Sequence, residues 1–306
     1  MKTSQSFTER HPAQTRKAYM QFCALVGISV ALWWGALAET FLRSLHDDQY
    51  THILVILPVS LAFFFLEREK MGFYVTRSST AVYGIFFAVA LGLFFAARQP
   101  GIIPDEFQLT LSVTGLIVWW IGSFIGCFGL SAFRIFLFPL CFLFWMVPWP
   151  HSLLDLLIHM LQQYSASGVS WTFQLFGIPV LRDGVILSIP GLTIEVAREC
   201  SSIRSSLILL VSSMVLAQFF LRSIARKTIV TLIAIPLSVA KNVVRIFTLS
   251  MLGVHVNPGF LTGRLHHRGG VVFYAAALGV IFLLIYWFQR QEANSPPRKA
   301  LEAALR

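Results

Sequence analysis

Apolar runs of roughly 17 to 25 residues recur along this chain between short charged segments, and no other feature constrains its fold as strongly. A helix rises about 1.5 Å per residue, so such runs match a hydrocarbon core about 30 Å thick. They are placed at residues 20–42, 50–66, 80–97, 109–128, 135–149, 203–221, 228–252 and 271–288. The fifth is the shortest and contains Pro139 and Pro148. With 56% hydrophobic residues, 28 Phe and only 12% charged residues, the composition excludes a water-soluble globule. The expected fold class is an all-α polytopic membrane protein. It has about eight transmembrane helices and a small extracytoplasmic insertion of an amphipathic helix and a β-hairpin, all in one domain over residues 1–306.

An even number of crossings puts both ends of the chain on one side. Fifteen of the 24 Lys and Arg fall on that side, whereas nine of the 14 Asp and Glu fall on the other. Positive charge is retained beside anionic cytoplasmic lipid, so the expected orientation has cytoplasmic N- and C-termini in a bacterial inner membrane. The pI near 9.8 therefore calls for membrane lipid and not for nucleic acid. The first run exceeds the length of a signal-peptide core and is read as an uncleaved signal anchor, despite Ala36-Leu37-Ala38.

Residues 150–202 follow the fifth run and are expected outside. They open with apolar Leu153, Leu156, Leu157, Met160 and Leu161 set against Asp155, His159, Gln162 and Gln163, the pattern of an amphipathic helix lying on the membrane surface. After Gly177 the pattern becomes strand-like. Asp183-Gly184 and Pro190-Gly191 sit between β-branched runs and predict a small meander that delivers the chain to Cys200. Ser201 and Ser202 are candidate caps for the helix that follows.

Cys23, Cys127 and Cys141 lie inside apolar runs, where a thiol acts as a small buried hydrophobe. Cys200 is the one thiol expected at the outer surface, without a disulfide partner in an oxidising compartment, and such a thiol invites a reactive role. A helix starting one turn before the serine caps would place Arg204 on the same face as Cys200, where a guanidinium favours the thiolate. Asn242 and Arg245, three apart, share a face of the seventh run. Ionisable groups at membrane depth cost about 2.5 to 3.5 kcal/mol near a helix centre; nearer the end, Lys241 and Arg245 are equally read as snorkelling to the interface. His255, Arg264, His266, His267 and Arg268 follow before the last run. Cys200, Arg245 and His266 or His267 thus fall toward the outer ends of the last three runs, in one layer. A thiol, a cation and a base there can perform acyl transfer without a metal or cofactor: His takes the proton, the thiolate attacks a carbonyl, and Arg stabilises the oxyanion.

At these residues the chain resembles the exosortase/archaeosortase family of integral-membrane, sortase-like cysteine transpeptidases. The resemblance runs through Tyr50-Thr51-His52-Ile53 to Pro58, Arg182-Asp183-Gly184, Glu199-Cys200-Ser201-Ser202-Ile203-Arg204-Ser205, Asn242-Val243-Val244-Arg245-Ile246 and His266-His267-Arg268-Gly269-Gly270. It implies Cys200 as nucleophile, Arg245 as catalytic arginine and His266 as catalytic histidine, the last because the family pattern resembles His, three residues, Gly. Arg204, Asn242, Ser201 and His267 are implied supporting residues. The chain departs from the family at Ser202, where Gly usually follows Cys-Ser. The implied substrates are proteins whose C-terminal sorting signal joins a short motif, a transmembrane helix and a basic tail. The alternative, a polytopic transporter or membrane assembly subunit, expects carboxylates within the runs, and none stands at the centre of one.

Overall fold

The computed structural model describes residues 12–71, 80–99, 101–196, 203–259 and 270–294. The chain forms two compact units, Met1–Leu153 and Leu154–Arg306. Among the described residues five helical stretches are long and apolar enough to cross a membrane: Asp48–Arg68, Asp105–Phe128, Ile203–Phe220, Ile224–His255 and Gly270–Asn294. The number is up to seven if each of two bent helix pairs is one span, and Thr80–Ala96 is a shorter apolar helix. The protein is thus an all-α polytopic membrane protein with one small sheet.

In the first unit, α1 (Pro12–Leu32) and α2 (Trp34–His46) occupy the place of the first expected span, but it is not one straight helix. The two meet at a 75° bend. Trp33 sits at the bend and is fully buried, with its ring 4.7 Å from Phe94 and 5.8 Å from Trp119. Burying that indole holds the break, and Gly35, two residues on, lowers the helix propensity of the same turn. α3 (Ile53–Met71), α4 (Thr80–Ala96) and α5 (Asp105–Phe128) complete the long elements. α4 and α5 approach closely because α5 presents glycines to its neighbour: a Cβ at Gly122 would lie 2.7 Å from Phe86 Cβ, and one at Gly115 would lie 3.1 Å from the Ala90 carbonyl oxygen.

The fifth expected span is also broken. α6 (Leu130–Ile135), α7 (Leu137–Phe142) and a 3-10 turn at Leu143–Met146 end at Pro148-Trp149-Pro150. Proline cannot donate to a helical ladder, and the carbonyls freed around these breaks find side-chain donors instead. Ser60 Oγ donates to the Pro139 carbonyl at 2.8 Å, Thr110 Oγ1 to that of Pro148 at 2.8 Å and Tyr50 Oη to that of Trp149 at 2.9 Å. Tyr50, which opens the first motif of the resemblance, is therefore buried as a structural tie. Cys23 and Cys141 are exposed on α1 and α7 and Cys127 is half-buried on α5, which corrects the expectation of buried thiols. In a bilayer, outward positions on apolar helices meet lipid tails, which a thiol tolerates as well as a protein core.

The second unit contains most of α8 (His151–Leu175), the strands β1 (Leu181–Asp183), β2 (Ile186–Ile189) and β3 (Leu192–Glu195), and the long helices α9 (Ile203–Phe220), α10 (Ile224–His255) and α11 (Gly270–Asn294). The strands form an antiparallel sheet in the order β1-β2-β3, as the turn signals predict. Gly184 and Gly191 take φ of 58° and 79° at its two turns, backbone that glycine adopts without a Cβ penalty. α9, α10 and α11 pack around Leu209, Ala217, Val230, Ala234, Ala277, Ile281 and Ile285. At the α9–α10 connection the Glu292 carboxylate accepts the backbone N–H groups of Arg222 and Ser223, both at 3.0 Å, and the Arg226 guanidinium lies 3.5 Å away.

Candidate active site

The site is built on one turn of α10, where Lys241, Asn242 and Arg245 follow each other on a continuous helix. Asn242 is 3% exposed, and its Nδ2 donates to Ser165 Oγ on α8 at 2.9 Å. The two helices can come this close because α8 carries Gly168, where a Cβ would lie only 2.6 Å from Val243 Cγ2. A β-branched side chain has little freedom to yield, so glycine sets the spacing. Beyond that point Phe173 and Phe176 pack on Phe247, with ring centroids 5.2 and 5.0 Å apart.

The sheet is anchored to the same face. Leu187, Ile189 and Val196 join Ala166, Val169 and Phe173 of α8 and Ile246 of α10 in one buried cluster. Arg182, part of the Arg-Asp-Gly motif, reaches across from β1: its Nη1 donates to Ser167 Oγ at 2.6 Å and its Nη2 to Gln163 Oε1 at 2.8 Å, while Nε donates to the Gly184 carbonyl at 2.8 Å. One planar guanidinium thus fixes both the hairpin turn and its attachment to α8. Val196, the last described residue before the Cys200 segment, is fully buried. Its N–H donates to the Val185 carbonyl at 3.0 Å, and its carbonyl accepts from Gln162 Nε2 at 2.8 Å.

Cys200, Ser201 and Ser202 lie outside the described residues, as do His266 and His267. The chain reappears at Ile203, which is buried and opens α9. Arg204, next in sequence, is exposed on the first turn of that helix. The expected shared face of Cys200 and Arg204 depends on Cys200, which lies outside the described residues. Arg245 is half-buried, and its Nη1 would stand 4.0 Å from a Cβ added at Gly270. Gly270 begins α11 and is the glycine that closes the His266-x-x-x-Gly270 spacing. The candidate arginine therefore stands beside the glycine that follows His266 by four positions in the sequence.

Lys241 departs from its expected snorkelling place. It is only 9% exposed, and its Nζ donates to Ser205 Oγ on the first turn of α9. A neutral hydroxyl in reach made an inward position more favourable than extension to the interface. Sequence reasoning gave Gln162, Ser165 and Lys241 no part in the site. For Gln162 and Ser165 the signal was faint, because they are two of many polar residues on an amphipathic helix. Among the described residues no group of three or more His, Cys, Asp or Glu is arranged to hold a metal ion.

No curated protein and no solved structure matches the chain. A family model described as a transmembrane exosortase matches residues 33–283, a span that includes every motif discussed above. The matched residues include Cys200, Arg245 and His266, and by this match the chain belongs to the transmembrane exosortase family, the sortase-like membrane transpeptidases.

Proposed function

We infer that the protein is a cysteine transpeptidase that cleaves the C-terminal sorting signal of exported proteins through a thioacyl intermediate on Cys200 and passes them to a cell-envelope acceptor. The observation that carries this reading is the convergence on one turn of α10. Arg245 lies beside Gly270, four positions after His266, and Lys241 on the same turn is bonded to Ser205, five positions after Cys200. In the reaction His266 takes the thiol proton and the Cys200 sulfur attacks the scissile carbonyl. Two N–H groups of Arg245 receive the oxyanion, and His266 returns the proton to the leaving amine as the C–N bond breaks. The acceptor amine, or water, then attacks the thioester, and the thiol is regenerated. A planar guanidinium suits the second role because it directs two donors at one oxygen centre.

The substrate class that follows from the family is a protein ending in a short motif, a transmembrane helix and a basic tail. Pro-Glu-Pro is the best-known motif type, and such systems often accompany exopolysaccharide production. Such a substrate presents its motif at the membrane surface. That surface is the periplasmic side of the bacterial inner membrane in the orientation given by the charge asymmetry, with both termini cytoplasmic and residues 150–202 an extracytoplasmic insertion.

Labelling of intact cells with a membrane-impermeant maleimide tests this placement. Cys200 is expected to react from outside, while Cys23, Cys127 and Cys141 stay unlabelled within the bilayer. Reaction of Cys200 only after the inner membrane is broken would overturn both the orientation and the periplasmic site.

A further inference from the structure

Two neighbouring residues of α10 reach in different directions. Lys241 Nζ donates to Ser205 Oγ on the first turn of α9, two residues past Ile203, where the chain leaves the Cys200 segment. Asn242 Nδ2 donates to Ser165 Oγ on α8 at 2.9 Å. One turn before Ser165, on that same helix, Gln162 Nε2 holds the Val196 carbonyl at 2.8 Å, where the chain enters the Cys200 segment. Gln162, Ser165, Lys241 and Asn242 are all buried. A buried polar group left without its partner costs about 1 to 3 kcal/mol, so each of these bonds resists being given up. Six residues separate Val196 from Ile203, and both ends of that short segment are tied to the turn of helix that carries Arg245.

The geometry points to a polar clasp: Lys241 through Ser205, and Asn242 through Ser165 and Gln162, are positioning residues that hold the two ends of the nucleophile segment in fixed register with Arg245. Lys241 is then neither a surface anchor nor a reacting group. Its ammonium suits the task because it donates to a hydroxyl across a helix–helix contact while the surrounding apolar walls keep water from competing for the bond. Gln162 and Ser165 do the same for the entry side, and Gly168, one turn on, keeps α8 close enough for Asn242 to reach. Without one arm, the segment keeps its sequence and the helices keep their packing, but the register between sulfur and guanidinium is no longer fixed.

This inference rests on the reading of Cys200 as a nucleophile served by Arg245, and a test without substrate separates the two. The rate of iodoacetamide alkylation of Cys200 is measured against pH in the purified full-length chain, with Cys23, Cys127 and Cys141 replaced by Ala. On that reading the Arg245 guanidinium serves the Cys200 thiol and also favours its thiolate, so Arg245→Met is expected to raise the pH midpoint of alkylation. Lys241→Met and Gln162→Met are each expected to raise it by about one unit, which is about a tenfold loss of rate at neutral pH. Lys241→Arg, which keeps a donor to Ser205, should stay near the parent. The double variant Lys241→Met, Ser205→Ala removes both partners of this one bond and should still show the raised midpoint. If Arg245→Met raises the midpoint while Lys241→Met, Gln162→Met and the double variant leave it unchanged, the clasp is wrong and the catalytic reading stands. If Arg245→Met leaves the midpoint unchanged, Arg245 is not held beside the thiol and the clasp is wrong, while the oxyanion role of Arg245 is read separately from cleavage of a reporter substrate.

Discussion

Replacing Cys200 with Ala leaves a chain that inserts and accumulates normally and does not cut its substrate. Deleting one thiol removes little burial, and the bonds that flank the segment, from Gln162 to Val196 and from Lys241 to Ser205, do not involve it. The nucleophile is lost outright, so the expected fall in cleavage is on the order of 10⁴-fold or more, set by what binding and the oxyanion donors achieve without a covalent step. No other thiol can take over. Cys23, Cys127 and Cys141 lie within the apolar helices α1, α5 and α7, and none of them falls in a motif of the resemblance. The measurement is the fraction of a membrane-inserted reporter with a Pro-Glu-Pro motif, transmembrane helix and basic tail that is processed at equal enzyme abundance. Substantial processing by the Ala variant refutes the assignment of the nucleophile.

Arg245→Lys is expected to be nearly as damaging, although it conserves charge. Lysine offers a compact ammonium on a flexible stem, whereas the guanidinium presents a fixed fork, and the loss of one directed oxyanion donor typically costs about 10²- to 10³-fold in kcat. His266→Ala should lower cleavage by about 10²- to 10⁴-fold, the usual contribution of a general acid–base, while His267→Ala should have little effect. Groups that act as one unit are not additive, so Cys200→Ala combined with His266→Ala should be no slower than Cys200→Ala alone. Measuring kcat and KM separately for each variant checks these roles: the losses belong in kcat. A loss confined to KM would make Arg245 a substrate-binding residue instead.

The parts of this architecture that follow from local physics were legible in the sequence. Hydropathy located the long helices, and Asp183-Gly184 and Pro190-Gly191 located both turns of the sheet, because each depends on residues within a few positions of one another. The bend at Trp33 was marked only by Gly35, two residues on, because what holds it is tertiary: the indole is buried against Phe94 and Trp119, which are distant in sequence. The fragmentation of the fifth span was half legible, since Pro139 and Pro148 marked it, but the side chains that satisfy the freed carbonyls come from other helices. In the site, the spacing of Asn242 and Arg245 showed that they share a face. It could not show that Asn242 turns toward Ser165, 77 residues away, or that Lys241 turns inward to Ser205. A lysine near a helix end has two low-cost destinations, water or a buried acceptor, and only the neighbouring helix decides between them. Arg182 was legible as part of a motif, but its task of stapling the sheet to α8 through Ser167 and Gln163 was not.

The most direct test of the central claim is capture of the thioester itself. Purified enzyme is incubated with the reporter in the presence of hydroxylamine, which attacks a thioester and releases the acyl group as a hydroxamate, and the products are read by mass spectrometry. The account predicts a hydroxamate at the new C-terminus of the exported portion with the wild-type chain, none with Cys200→Ala, and a reporter-sized adduct on the peptide containing Cys200 when hydroxylamine is left out. Cleavage by the wild-type chain that yields only a free carboxylate, with no adduct on Cys200 and no hydroxamate, would contradict it.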